Sequence, residues 1–169
     1  MKSYRIKKGH NLKISGVPNL NIINSKEPDV VTFHPSRLTS FKTKLHISLN
    51  DEVKVGSPLF CDKNNQDVIY TSSVSGKIEN IVFGKRRVVE SISIRNNKQY
   101  DNILIDNSVS KDTLLKSGLW SLIRQKPFSK VPYSGSLPKS FFISSIPTEP
   151  FAINYDFLFK NINNYLQEG

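Results

Sequence analysis

Asn50-Asp51-Glu52-Val53-Lys54-Val55-Gly56-Ser57-Pro58-Leu59 is answered one strand later by Ser72-Ser73-Val74-Ser75-Gly76-Lys77-Ile78. In the first segment Val53 and Val55 alternate with charged neighbours and the run breaks at Gly56. In the second, small polar residues lead into Gly76, after which apolar residues resume at Ile78. Alternation of period two, interrupted by glycine, is the pattern of short strands meeting at corners. Glycine is useful at both corners because it admits positive φ and close backbone approach. Between them lie Leu59-Phe60-Cys61 and Val68-Ile69-Tyr70-Thr71, both read as strands.

The same texture extends over residues 1–100. Tyr4–Lys8 alternates and stops at Gly9, Val30–Phe33 is β-branched and ends before Pro35, and Leu45–Leu49 alternates into the turn residues Asn50-Asp51. Lys77–Phe83 and Arg86–Ile94 read as two strands joined at Gly84-Lys85, a hairpin with glycine at its turn. No helical period is visible, so residues 1–100 are read as an all-β module. Residues 101–110 form a polar connector. Residues 111–169 read as the beginning of an α/β domain, expected to be incomplete. Ser110 is placed to cap a helix starting at Lys111, Gly118 to end or bend it, and Leu119–Arg124 to continue it until Pro127. Phe141–Ser144 reads as a buried strand. Tyr155, Leu158, Phe159, Ile162, Tyr165 and Leu166 have the spacing of an amphipathic helix, with Asn154 or Asp156 as its cap.

Composition narrows the possible chemistry. The 169 residues carry 24 Lys and Arg against 14 Asp and Glu, a net charge of +10. The chain also holds 18 Lys, 17 Ile and 16 Asn but one alanine, Ala152, a bias toward AT-rich codons that makes part of the charge incidental. The densest basic clusters are Lys85-Arg86-Arg87 and Arg124, Lys126, Lys130. Neither is interleaved with aromatic residues as a base-stacking platform would be, so solvated faces or a protein partner are favoured over nucleic acid. No run approaches the roughly 18 apolar residues of a membrane span, and the N-terminus lacks the apolar core of a secretory signal, so a cytoplasmic-side location is expected. Cys61 is the single cysteine, which excludes a disulfide or a cysteine-ligated metal cluster held within these residues.

Candidate reagents are sparse. Cys61, His10, His34 and His46 are the only thiol and imidazoles, and no motif joins them. Phosphate-binding glycine motifs of the G-x-x-x-x-G-K-[ST] and G-x-G-x-x-G types are absent. Asp51-Glu52 sits in a turn and reads as solvated. No residue is positively marked as catalytic, cofactor-binding or metal-binding.

The two glycine corners, V-K-x-G-x-x-L and S-G-x-I, resemble those of the biotinyl/lipoyl carrier fold, a flattened β-sandwich. Asp62-Lys63 is similar to the Asp-Lys of a lipoylation site, although only four residues separate Lys63 from Leu59, a short strand for a projecting hairpin. A carrier-like fold without a swinging arm is therefore expected.

A further resemblance spans the chain. Ile6-Lys7-Lys8-Gly9-His10-Asn11-Leu12-Lys13-Ile14-Ser15-Gly16-Val17-Pro18 resembles the opening of the A subunits of bacterial sodium-translocating NADH:quinone reductases, I-K-K-G-x-N-L-x-I-x-G-x-P. Gly84-Lys85-Arg86-Arg87-Val88-Val89-Glu90-Ser91 is similar to their G-x-K-R-x-x-x-S segment. Ser117-Gly118-Leu119-Trp120-Ser121-Leu122-Ile123-Arg124-Gln125-Lys126-Pro127-Phe128-Ser129-Lys130-Val131-Pro132 resembles G-L-W-x-x-[LI]-R-x-[RK]-P-F-S-K-[IV]-P, and Thr148-Glu149-Pro150 falls at a similar T-x-P turn.

The resemblance implies a barrel-sandwich hybrid module followed by the start of an α/β domain. It implies a peripheral subunit on the cytoplasmic side of the bacterial inner membrane, in a complex that passes electrons from NADH through flavins and iron centres to quinone and exports sodium. Redox cofactors and independent catalysis are not expected in this chain. Partners are the other subunits, above all the quinone-reducing membrane subunit, with quinone itself possible. Members run well beyond 169 residues, so the chain reads as an N-terminal portion. Trp120 and Phe128 are read as anchors beneath the Pro127–Pro138 loop, and Trp120, Arg124, Lys126, Phe128 and Lys130 as partner or quinone-side contacts. Alternatives are the related subunit of a ferredoxin-linked electron-transport complex, or a lipoyl/biotinyl-type carrier.

Overall fold

The computed structural model describes residues 8–9, 12–17, 19–38, 41–105, 108, 110–143, 149–152, 154, 155, 157 and 159. Contacts divide the chain into two units, Lys26–Pro138 and Met1–Ser25 with Lys139–Gly169.

The larger unit contains two antiparallel sheets. The first has the order β1 (Val30–Phe33), β7 (Val89–Asn96), β6 (Gly76–Phe83), β3 (Glu52–Val53). The second has the order β2 (Thr43–Leu45), β4 (Pro58–Asp62), β5 (Asn65–Thr71). Register aligns the β-branched residues: Ile94 stands opposite both Val31 and Ile78, and Ile92 opposite both Phe33 and Ile81. Ile78, Ile92 and Ile94 are fully buried together with Leu59, and Val53, Phe60, Val74 and Val89 complete the core. Each such side chain contributes about 1.5–3 kcal/mol on leaving water. Phe60 stacks on Tyr70 at 4.9 Å, and Phe41 meets both rings edge-on.

Both glycine corners are where the alternation puts them. Gly56 has φ +88° and its N–H donates to Ser72 O at 2.8 Å, while Ser72 N–H donates to Ser57 O at 2.9 Å, so the first corner is bonded to the start of the second. Gly76 has φ +152° and lies against the backbone of β7.

Several expected elements change. The strand expected at Leu45–Leu49 is instead Thr43–Leu45, and the chain bends at His46. Its inward alternation persists, with Leu45 and Ile47 partly covered and packed on the core, because position along an extended chain rather than ladder pairing sets the facing. The β6–β7 hairpin does not turn tightly on a left-handed glycine. Gly84 has φ −91°, and a short 3-10 turn over Lys85–Arg87 follows, with Arg86 and Arg87 each at φ +57°. A left-handed conformation at an arginine costs about 1–2 kcal/mol. Gly84 instead lies beside Glu90: a Cβ there would sit 1.9 Å from Oε1, the end of an exposed side chain that can move aside.

After the β module, Val55 N–H donates to Asp101 O at 2.7 Å and Ile103 N–H to Val55 O at 2.9 Å. Helix α1 spans Lys111–Lys116, and its cap is Ser110 as expected, the hydroxyl accepting from Thr113 N–H at 3.1 Å. Gly118, at φ +80°, ends the helix, and a 3-10 turn covers only Leu119–Leu122. Helical spacing therefore stops before Pro127, because the chain at Ile123 is already extended.

In the smaller unit Phe151 covers Gly16, whose φ is +115°; a Cβ at Gly16 would lie 3.6 Å from the ring. The expected buried strand over Phe141–Ser144 is not formed across its described residues: Phe141, Phe142 and Ile143 lie outside strands and are exposed. A run of apolar residues marks a strand only where a neighbouring strand accepts it. Tyr155, Phe157 and Phe159 are helical, and Asn154 Oδ1 accepts from Phe157 N–H at 3.0 Å, one of the two expected caps; Asp156 lies outside the described residues. Ile162, Tyr165 and Leu166, and Tyr4–Lys7 of the first expected strand, lie outside the described residues.

Candidate interaction surface

The Trp120 region is built on β5. Ser117 O accepts from Thr71 Oγ1 at 3.3 Å, and a Cβ on Gly118 would come within 2.7 Å of that Thr71 hydroxyl and 3.3 Å of Ile69 O. Glycine lets the corner after α1 lie directly on the strand. The next turn drives Trp120 inward. It is 5% exposed, and its indole N–H donates to Pro132 O at 3.0 Å. Asn65, at the start of β5, reaches the same loop: its Nδ2 donates to Pro132 O at 3.2 Å and its Oδ1 accepts from Ser134 N–H at 3.2 Å. Ser134 Oγ donates to Asp67 Oδ2 at 2.7 Å.

Clamped in this way, residues 125–130 form a turn. Gln125 N–H donates to Lys130 O at 2.7 Å, closing the antiparallel bridge between those two residues. The Lys126–Pro127 bond is cis. Phe128 stands at the tip and is 79% exposed. Lys126 and Lys130 are exposed beside it, with Lys126 Nζ donating to Ser129 Oγ at 3.2 Å. Arg124 folds back onto the carbonyl oxygens of Ser121 and Ile123.

Of the five residues singled out in the sequence, Lys126, Phe128 and Lys130 share one exposed turn, Arg124 adjoins it, and Trp120 supports it from below. The expectation that Phe128 is a buried anchor is overturned. Trp120 takes the buried place, where its indole N–H meets Pro132 O, and Phe128 stands at the exposed tip. Asn65 and Ser134 were not singled out. Asn65 opens β5 and Ser134 lies in the loop; neither is marked locally, and their roles arise from contacts 67 and 69 positions away.

The structure also joins two residues that no motif links. His46 Nε2 and Cys61 Sγ are 3.2 Å apart. Cys61 is fully buried, and burial raises its thiol pKa above the ordinary 9.0, with Lys44 opposing weakly. The thiol is thus held protonated, the opposite of an activated nucleophile. Folded protein is expected to react with an aromatic disulfide reagent at pH 8 at least about tenfold more slowly than unfolded chain. Because the folded pKa is raised, the thiol's share of stability is intact below the unfolded pKa and is lost as pH rises through the folded one. Cys61→Ala should remove that alkaline decline in urea titrations.

Lys63 is exposed in the two-residue turn between β4 and β5, where Asp62 pairs with Asn65. A hairpin therefore forms despite the short spacing from Leu59, because β5 begins at Asn65, three residues before its apolar run. Asp62 Oδ1 accepts from Asn64 N–H at 3.1 Å and Lys42 N–H at 3.3 Å, which gives the aspartate a turn-forming role of its own.

Among the described residues no helix is long and apolar enough to cross a membrane. Two packed sheets with glycine corners define the class of this part as a barrel-sandwich hybrid, continued by a helix and its clamped loop. Residues 4–97 match the family described as NqrA N-terminal barrel-sandwich hybrid domain, and residues 105–169 that described as NqrA second alpha/beta domain. Proteins named as the A subunits of Na(+)-translocating NADH-quinone reductases are similar in sequence. That of Vibrio atlanticus (strain LGP32) is 34% identical over 157 residues, covering 87% of this chain and 35% of the relative. That of Vibrio vulnificus (strain YJ016) is 36% identical over 157 residues with the same coverage. That of Yersinia pseudotuberculosis serotype O:1b (strain IP 31758) is 36% identical over 159 residues, covering 88% and 35%. The chain belongs to the NqrA family. It spans about a third of the length of these curated relatives.

Proposed function

We propose that this chain serves as a peripheral, cofactor-free docking subunit of a sodium-translocating NADH–quinone reductase on the cytoplasmic face of the bacterial membrane. Its partners are other subunits of that complex, above all the one that reduces quinone. NADH oxidation, electron transfer through flavins and iron centres, and sodium export belong to those partners. Within this reading residues 1–100 are the β module, 101–110 the connector and 111–169 the start of the α/β domain.

The relatives' shared name supports the assignment to the complex. The observation that carries the docking role is the Gln125–Lys130 turn, where a large aromatic side chain and two cations are presented to solvent on a loop locked by Trp120 and Asn65. An apolar anchor ringed by charge and ordered in advance suits a protein interface, because little entropy is lost on binding.

The test is recovery of membrane partners on the tagged chain. Flavin-bearing membrane subunits should co-purify, and Phe128→Ala combined with Lys126→Glu and Lys130→Glu should cut recovery at least about tenfold. Clean monomer from membranes that contain the other subunits would refute the proposal.

The carrier alternative has one observation in its favour, the exposed Lys63 hairpin tip. Intact mass decides it. The docking reading expects the unmodified chain, whereas the added mass of a lipoyl or biotinyl group on Lys63 would establish the carrier.

A further inference from the structure

The β6–β7 hairpin ends in a second amphipathic tip, for which the preceding reading has no use. Lys85, Arg86 and Arg87 are consecutive and exposed, and none of them makes an ion pair among the described residues. Phe83, 53% exposed, precedes them across Gly84, and Val88, 47% exposed, follows immediately. Arg37 belongs to the same end of the sheet. Its 3-10 turn, Pro35–Arg37, is bonded to β7 through Ser36 Oγ, which donates to Glu90 O at 3.1 Å. The acidic groups of β6 and β7 leave this end cationic. Glu79 is engaged by Arg95, and Glu90, the other acidic residue of these two strands, lies against Gly84.

We infer that this tip is a membrane-surface contact, in which Lys85, Arg86, Arg87 and Arg37 bind anionic lipid phosphates while Phe83 and Val88 enter the interfacial layer. Two features favour a bilayer over nucleic acid. The apolar residues flanking the cations are one phenylalanine and one valine, which gain from leaving water but form no stacking platform for bases. The cations also project from a hairpin end, a shape that meets a plane but does not follow a groove. Two successive left-handed arginines hold the basic groups at the turn despite their conformational cost, as expected where position serves function.

The test is co-sedimentation of the purified full chain with vesicles of phosphatidylcholine and phosphatidylglycerol, against phosphatidylcholine alone. Binding is expected only to the anionic vesicles and should weaken with salt. Neutralising the tip with Lys85→Gln, Arg86→Asn and Arg87→Asn should weaken partitioning roughly a hundredfold; asparagine tolerates the left-handed backbone. Phe83→Ser alone should weaken it several-fold, and it keeps the test valid if the triple variant does not fold. A charge-matched variant, Lys54→Gln with Lys63→Gln and Lys116→Gln, should bind as the parent does. Equal loss in that variant, no binding to anionic vesicles, or tip-dependent binding to single-stranded RNA without vesicle binding would each overturn the inference. Because the purified chain is used without partner subunits, failure here is separable from failure of the docking proposal.

Discussion

Replacing Trp120 by alanine is expected to lower the unfolding free energy by about 3–5 kcal/mol, the range for emptying a buried large aromatic site. That is a large fraction of the roughly 5–15 kcal/mol by which a domain is stable. Two losses combine. The ring is 5% exposed, so its removal leaves a cavity between β5 and the loop, and its N–H no longer donates to Pro132 O. Trp120→Phe separates them. Most of the cavity is refilled, and Pro132 O retains the Asn65 amide at 3.2 Å, so about 1 kcal/mol should be lost. Urea unfolding followed by circular dichroism measures both, since Trp120 is the only tryptophan and its fluorescence vanishes with it. A loss under about 1 kcal/mol for Trp120→Ala would mean that the indole does not support the loop. Recovery of membrane partners should fall with it, because the loop that carries the Gln125–Lys130 turn loses the indole's bond at Pro132.

Gly76→Ala is the second large effect. A Cβ at Gly76 would lie 1.9 Å from Arg95 O and 3.2 Å from Asn97 N, both backbone atoms of β7 or its continuation. Real Cβ atoms essentially never approach within 3.0 Å. The obstructing carbonyl sits in the β6–β7 ladder and cannot rotate aside as a side-chain end can. Relief requires breaking the pairing of Gly76 with Asn96, and φ +152° disfavours alanine independently. A loss above about 3 kcal/mol is expected, or failure to accumulate as folded protein. Gly56→Ala is the internal control. Its φ of +88° is also unfavourable, but the nearest atom, Ile103 Cβ, is 3.7 Å away. About 1 kcal/mol should be lost there. Equal losses at the two sites would show that backbone conformation matters at Gly76 and crowding does not.

These two residues show how far local pattern carries. Gly76 was legible, because an alternating strand interrupted by glycine needs either positive φ or close approach. Here it has both. Ser110 was legible as a cap for the same kind of reason, since its hydroxyl serves an N–H three residues on. The Phe141–Ile143 strand was misread because apolar composition states a preference for burial without supplying a neighbour. The β6–β7 turn differs from the expected one because Gly84 keeps an ordinary φ of −91° beside the exposed Glu90 side chain and leaves the left-handed positions to the residues that follow. Arg86 and Arg87, for which positive φ is unfavourable, make the turn instead.

The candidate site divides in the same way. Its residues lie together because they are contiguous in one motif, but Phe128, expected beneath the loop with Trp120, is exposed at its tip. Nothing within residues 120–130 distinguishes the ring that faces β5 from the ring that faces solvent. The indole N–H and the distant Pro132 carbonyl settle it, with Asn65 holding the loop in place. The β character, the glycine corners, the helix cap and the family follow from residue order alone, because each rests on local backbone demands or on contiguous residues. That Trp120 lies under the loop with Phe128 on it, and that His46 meets Cys61, emerges on folding alone, since each depends on which surfaces meet between separate elements.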